Sequence, residues 1–132
     1  MTQSTPILVP TAPGELVDKI TILEIKTERI QDVGKLKNVR FELETLAAAR
    51  DQTLPPSPEL GKLTAELKRM NAALWDIEDQ IRDCERRQDF GPEFIRLARS
   101  VYHSNDRRAA VKRQINELLG SELMEMKSYA AY

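Results

Sequence analysis

The chain has one cysteine, one histidine, five glycines and few aromatic residues, 5% of its 132 positions. Cys84 alone cannot form an intrachain disulfide framework, and His103 is the one imidazole, so no Cys/His metal-binding spacing exists. His103 is expected to face solvent. Phosphate-cradling glycine-rich loops are also missing. No apolar run approaches the ~20 residues of a membrane span. Ile7-Leu8-Val9 is too short for a signal-peptide core, and polar rather than basic residues precede it. Charge of one sign is lacking too: twenty Lys and Arg against twenty-one Asp and Glu leave a net charge of -1. No global field therefore draws the chain onto nucleic acid or anionic lipid. The expectation is a soluble, cytoplasmic protein with no membrane span, no nucleic-acid partner, no cofactor and no metal.

What the sequence does have is helical periodicity. Hydrophobic residues make up 41% and charged residues 31%, a balance that suits a helical bundle and excludes wholesale disorder. From Ser57 to Gln88 a heptad seam runs without a break. Leu60, Leu67, Leu74 and Ile81 occupy one core position and Leu63, Met70, Ile77 and Cys84 the other. That pattern predicts a long helix packed lengthwise on other helices, with Cys84 as a small reduced core residue rather than a nucleophile. About thirty helical residues span roughly 45 Å, whereas a compact globule of this length has a radius of gyration of about 14 Å. The molecule is expected to be elongated or self-associated, a dimer first, with Leu60, Leu67 and Trp75 at interfaces.

Punctuation divides the rest. Residues 1–12 read as an irregular or extended lead, with Pro6 and Pro10 bracketing Ile7 to Val9. Pro13 suits a first helical position and Glu15 complements the helix N-terminus. Leu16, Ile20, Leu23 and Ile30 mark one apolar face, while Ile22 and Ile25 lie on the other side. Asp32 can cap a second helix with the stripe Leu36, Val39, Leu43, Leu46 and Ala47. Ser57 and Pro58 start the seam helix, and Gly91-Pro92 restarts the chain, with Phe90 placed to staple on Ile95. Gly120 is a good stop, and 121–132 read as a short final helix or a tail. The fold class is all-α: an elongated antiparallel bundle, a single domain over 1–132, with helices near 13–31, 34–51, 58–88 and 92–119.

The last long helix departs from plain amphipathicity. Asn105, Arg108, Lys112 and Asn116 fall within the apolar arc of Phe94, Leu97, Ala98, Val101, Tyr102, Ala109, Ile115 and Leu119. Burying such groups unpaired costs several kcal/mol each, so they require partners, water or a ligand. Two readings stand: an interhelical network that fixes register, or a pocket for an anionic or sugar-like ligand. Arg99, Tyr102, Asp106 and Arg113 form an adjacent row. Glu24 projects into the apolar arc of the first helix, and its expected partner is Lys112 or Arg108. Trp75 lies one position past the seam among Asn71, Glu78, Asp79 and Arg82, either packed under a helix, at an interface, or walling a cleft. Candidate ligand-binding residues are Glu24, Arg99, Tyr102, Asn105, Asp106, Arg108 and Lys112. Glu24-x-x-x-Glu28 opposite Asp76, Asp79 and Asp83 could instead hold a hard divalent ion. That spacing loosely resembles all-α nucleotide pyrophosphohydrolases.

Four segments carry a family resemblance: Pro13-Gly14-Glu15-Leu16-Val17-Asp18-Lys19-Ile20-Thr21-Ile22-Leu23-Glu24-Ile25-Lys26, the run Asn71 to Asp79 around Leu74-Trp75-Asp76, the run Phe94 to Tyr102, and Asn105-Asp106-Arg107-Arg108-Ala109. Together they resemble a bacterial family of short uncharacterised helical proteins. That family is itself uncharacterised, and the resemblance implies only an association with surface-polysaccharide or glycosyltransferase proteins. The chain reads first as an oligomeric interaction or accessory module, more a non-enzyme than an enzyme, with a binding protein or non-metal enzyme as the alternative. Where that family has Ser before Pro-Gly-Glu, this chain has Ala12, so the side-chain cap of the first helix is missing. A weaker similarity to the all-helical chorismate mutases supports a helical dimer with a cation-lined interior.

Overall fold

Helix starts fall where a proline or a short polar side chain precedes an apolar stripe. The computed structural model describes residues 5–132 and contains four helices: α1 Pro13–Arg29, α2 Val33–Thr53, α3 Pro58–Arg86 and α4 Pro92–Leu118. Asp32 accepts from the Lys35 amide at 2.9 Å, and the Ser57 hydroxyl from the Leu60 amide at 3.1 Å. Each oxygen satisfies an amide that the first helical turn leaves without a carbonyl. Proline stands in the first turn of α1, α3 and α4. The chain is an all-α bundle, and none of its described helices is long and apolar enough to cross a membrane.

Stops are equally local. After α3, Gln88 adopts φ 55°, and the Asp89 amide reaches the Cys84 carbonyl at 2.9 Å. After α4, Gly120 at φ 66° permits the same closure, from the Ser121 amide to the Asn116 carbonyl at 2.8 Å. Phe90 meets Phe94 edge to face at 5.3 Å, and Ile95, its expected staple partner, stays 54% exposed. Beyond Ser121 the chain forms no helix. The Ser121 hydroxyl accepts from the Leu123 amide at 3.1 Å and so closes a local turn in place of a cap. Of the expected lead, residues 1–4 lie outside the described residues, and 5–12 are irregular.

α1 is the hub. It touches α2, α3 and α4, whereas α2 touches α1 alone among the described helices, and α3 and α4 pair along their lengths. The two-sided apolar pattern of α1 explains this: Val17, Ile20, Leu23 and Ile25 are each 1% exposed. Burying each such side chain stabilises the fold by about 1.5–3 kcal/mol. Leu60 and Leu67, expected at an interface between copies, are closed within the chain's own core beside Val17, Val111 and Ile115. Cys84 is buried as the seam predicts. α2 buries no residue fully, and its stripe only half covers itself on α1.

The start of α1 is capped from another helix. With Ala12 supplying no side-chain oxygen, the Gly14 amide donates to Asn116 Oδ1 of α4 at 2.7 Å. The approach requires glycine: a Cβ at position 14 would stand 2.5 Å from the Lys112 carbonyl oxygen and 2.9 Å from Asn116 Oδ1. Backbone against backbone cannot yield by rotating a side chain. Gly14→Ala is expected to lower the unfolding free energy by about 1–3 kcal/mol in urea titration. An unchanged midpoint would show that the α1/α4 contact is not tight in solution.

Candidate functional site

Asp18 places a carboxylate 4% exposed at the junction of three helices. Arg108 of α4 grips it with two bonds, Nε to Oδ1 at 2.9 Å and a terminal nitrogen to Oδ2 at 2.5 Å. From α3, the Asn71 side-chain amide donates to Asp18 Oδ1 and to Thr21 Oγ1, both at 2.9 Å. Thr21 in turn donates to the Asp18 carbonyl at 2.7 Å. Among the described residues no fully buried side-chain polar atom lacks a partner. The two-pronged bond to Asp18 holds the Arg108 guanidinium above its ordinary pKa against the opposing effect of burial.

Beside the knot opens a cleft of about 550 Å³ between α1, α3 and α4. Asn71, Asn105 and Arg108 line it, Trp75, Ile22, Ile25, Leu74 and Val101 give apolar wall, and Glu78, Asp79 and Arg82 stand along α3. Trp75 is half-buried, the disposition of a cleft wall. The charges lean acidic. Asp18 already neutralises Arg108, and Glu78 pairs with Arg82 at 3.7 Å. What remains presented is an indole, two amides and the Asp79 carboxylate.

The sequence candidates divide among several places. Asn105 and Arg108 line this cleft, while Tyr102, Asn105 and Asp106 line a second pocket between α4 and the tail. Arg99 belongs to a shallow surface near His103. Lys112 is not the partner of Glu24: it pairs with Glu15 at 2.5 Å and Glu125 at 3.4 Å. Glu24 lies nine residues beyond Glu15, about 2.5 turns along α1, and its charge instead helps raise the pKa of Lys68, secondary to the Lys68–Glu28 bond. The Lys112 charge holds Glu125 below the usual carboxylate range, so this tie of the tail to α4 is present at neutral pH and weakens as pH falls through that lowered pKa.

Three residues of the knot were not among the sequence candidates: Asp18, Thr21 and Asn71. Thr21 lies one turn from Asp18, and Asn71 borders the seam, so both signals existed only as polar residues near apolar phases. The acidic set proposed for a divalent ion does not assemble. Glu28 binds Lys68, Asp76 binds Arg29, and Asp83 binds Arg86 and Arg87. Among the described residues no three potential metal-ligating side chains converge.

The fold places the chain among all-α helical bundles. By match over residues 7–132, the chain belongs to a family of unknown function, DUF6165. No curated protein and no solved structure matches it.

The pairing of Asp18 with Arg108 generates a test. Arg108→Met strands a buried carboxylate and is expected to cost about 3 kcal/mol in stability. Combining it with Asp18→Leu should recover a large part, a coupling of about 1–3 kcal/mol in a double-mutant cycle. Additive losses would show that the two side chains do not act as a unit.

Proposed function

We propose that the chain is a binding module whose α1/α3/α4 cleft holds a neutral, hydroxylated, sugar-like ligand. The observation that carries this is Trp75 walling a cleft beside Asn71, Asn105 and Asp79. An indole face offers a flat apolar platform to the C–H face of a sugar ring. A side-chain amide can donate to and accept from hydroxyls and a carboxylate accepts from them, and a few such groups in an apolar wall fix orientation. An anionic ligand finds less support, because Arg108 is already bound to Asp18 and Asp79 would repel it. A sugar-like ligand accords with the surface-polysaccharide link that the family resemblance implies. The reading is of binding, with no catalytic residue assigned.

Trp75 is the chain's single tryptophan, so its emission reports on this cleft alone. Titration with a panel of neutral mono- and oligosaccharides should shift or quench that emission saturably. Asn105→Ala should weaken the response by about tenfold, the effect of one lost hydrogen bond that leaves its partner unpaired. Indifference of Trp75 to every neutral saccharide, with a response to anions only, would overturn the ligand class.

A second reading, self-association, rests on α2. Phe41 is 72% exposed and points away from the stripe that faces α1. One heptad later on the same outward face stands Ala48, with Lys37 and Asp51 flanking the pair. Antiparallel pairing of two α2 helices would set each Phe41 on the partner copy's small Ala48 side chain and bring Lys37 near an Asp51, a self-complementary arrangement. Light scattering is expected to give a dimer at micromolar concentration, and Phe41→Glu a monomer of unchanged helicity. A dimer that survives Phe41→Glu would place the interface elsewhere.

A further inference from the structure

All three tyrosines of the chain and its one histidine gather beside the middle of α4, where the tail returns to it. Tyr102 of α4 lies 5.2 Å, ring to ring, from Tyr132 of the tail, and His103 meets Tyr132 edge to face at 4.7 Å. His103, expected to face solvent, is thereby half-buried. Tyr102, Tyr129, Tyr132 and Asp106 line a pocket of about 680 Å³ between α4 and the returning tail. It adjoins the Trp75 cleft through Val101 and Asn105 but is walled by different aromatic rings.

Ring faces carry negative potential and attract cations, most of all a weakly hydrated one whose charge is spread over methyl groups. Asp106 adds a carboxylate at the edge of the rings. It receives the Tyr132 hydroxyl, a bond that raises the pKa of that phenol and keeps it protonated. Among the described ion pairs Asp106 has no cation. The pocket also contains its own ammonium: Lys127 Nζ sits 5.7 Å from the centre of the Tyr129 ring. A side-chain cation is thus already drawn to one face of this aromatic set.

We propose that this pocket binds a quaternary ammonium group, with Tyr102, Tyr129 and Tyr132 supplying ring faces and Asp106 the counter-charge. Lys127 then acts as an internal competitor that an incoming ammonium displaces. The site is independent of the sugar-like ligand assigned to the Trp75 cleft.

The test compares choline with 3,3-dimethylbutanol, the neutral compound of the same shape, by chemical-shift titration of the tyrosine ring signals in the full chain. Choline should shift Tyr102, Tyr129 and Tyr132 together and saturably, and the neutral analogue should bind at least about fivefold more weakly. Tyr129→Leu, which keeps apolar bulk at an exposed position, and Asp106→Asn should each weaken choline by a similar factor. Lys127→Met should tighten it. Retention on phosphatidylcholine vesicles as well as binding of free choline would identify a lipid headgroup as the source, and free choline alone a small molecule. Equal binding of choline and dimethylbutanol, or no shift with choline in either the native chain or Lys127→Met, would overturn the proposal.

Discussion

Everything in this bundle is arranged around one buried carboxylate. Asp18 is nearly inaccessible, and a lone ionised carboxylate there would cost several kcal/mol. It is held because α4 brings a guanidinium in the two-pronged geometry that a carboxylate fits, and α3 brings an amide to the same oxygen. The requirement ties three helices to one register. Any slide of α4 along α1 would break both prongs of Arg108 and part the Gly14 amide from Asn116 at once.

The same requirement shapes the cleft. Arg108 and Asn71 each turn one side to Asp18 and another to the open volume beside Trp75, so the floor of the cleft is fixed before any ligand arrives. Preorganised polar groups bind without the entropy loss of ordering them, which is why a register knot and a recognition surface can share residues. The cation that the helix pattern advertises is already matched by Asp18, which is why the ligand proposed for the cleft is neutral rather than anionic. α2 stands outside this arrangement. It meets α1 only and buries no residue fully, which leaves its outer face free for another role.

Much of the fold was legible in the sequence because its signals are local. The seam from Leu60 to Cys84, the caps Asp32 and Ser57, and the stop at Gly120 each act within a turn or two of themselves. The polar arc on α4 was legible for the same reason: Asn105, Arg108, Lys112 and Asn116 occupy apolar phases of one helix. Their partners were not. α1 offers acidic residues at 15, 18 and 24, and periodicity ranks none above the others; the choice follows from how far α4 slides along α1. That slide is set by Gly14, whose missing side chain lets two backbones touch, and a glycine in a helix start reads locally as nothing more than a weak position. The missing cap at Ala12 was the nearest clue, since an uncapped amide must find its oxygen elsewhere.

The central claim is that the Asp18 knot is a rigid, water-excluded junction on which the cleft is built. The Arg108 Nε–H reports on it directly, because that proton points at Asp18 Oδ1. In a nitrogen-15 spectrum with hydrogen exchange, this side-chain signal is predicted to be resolved from the exposed arginines, to exchange far more slowly than theirs, and to lose its protection in Asp18→Asn. An Arg108 Nε–H that exchanges as fast as the exposed arginines in the native chain would contradict the account.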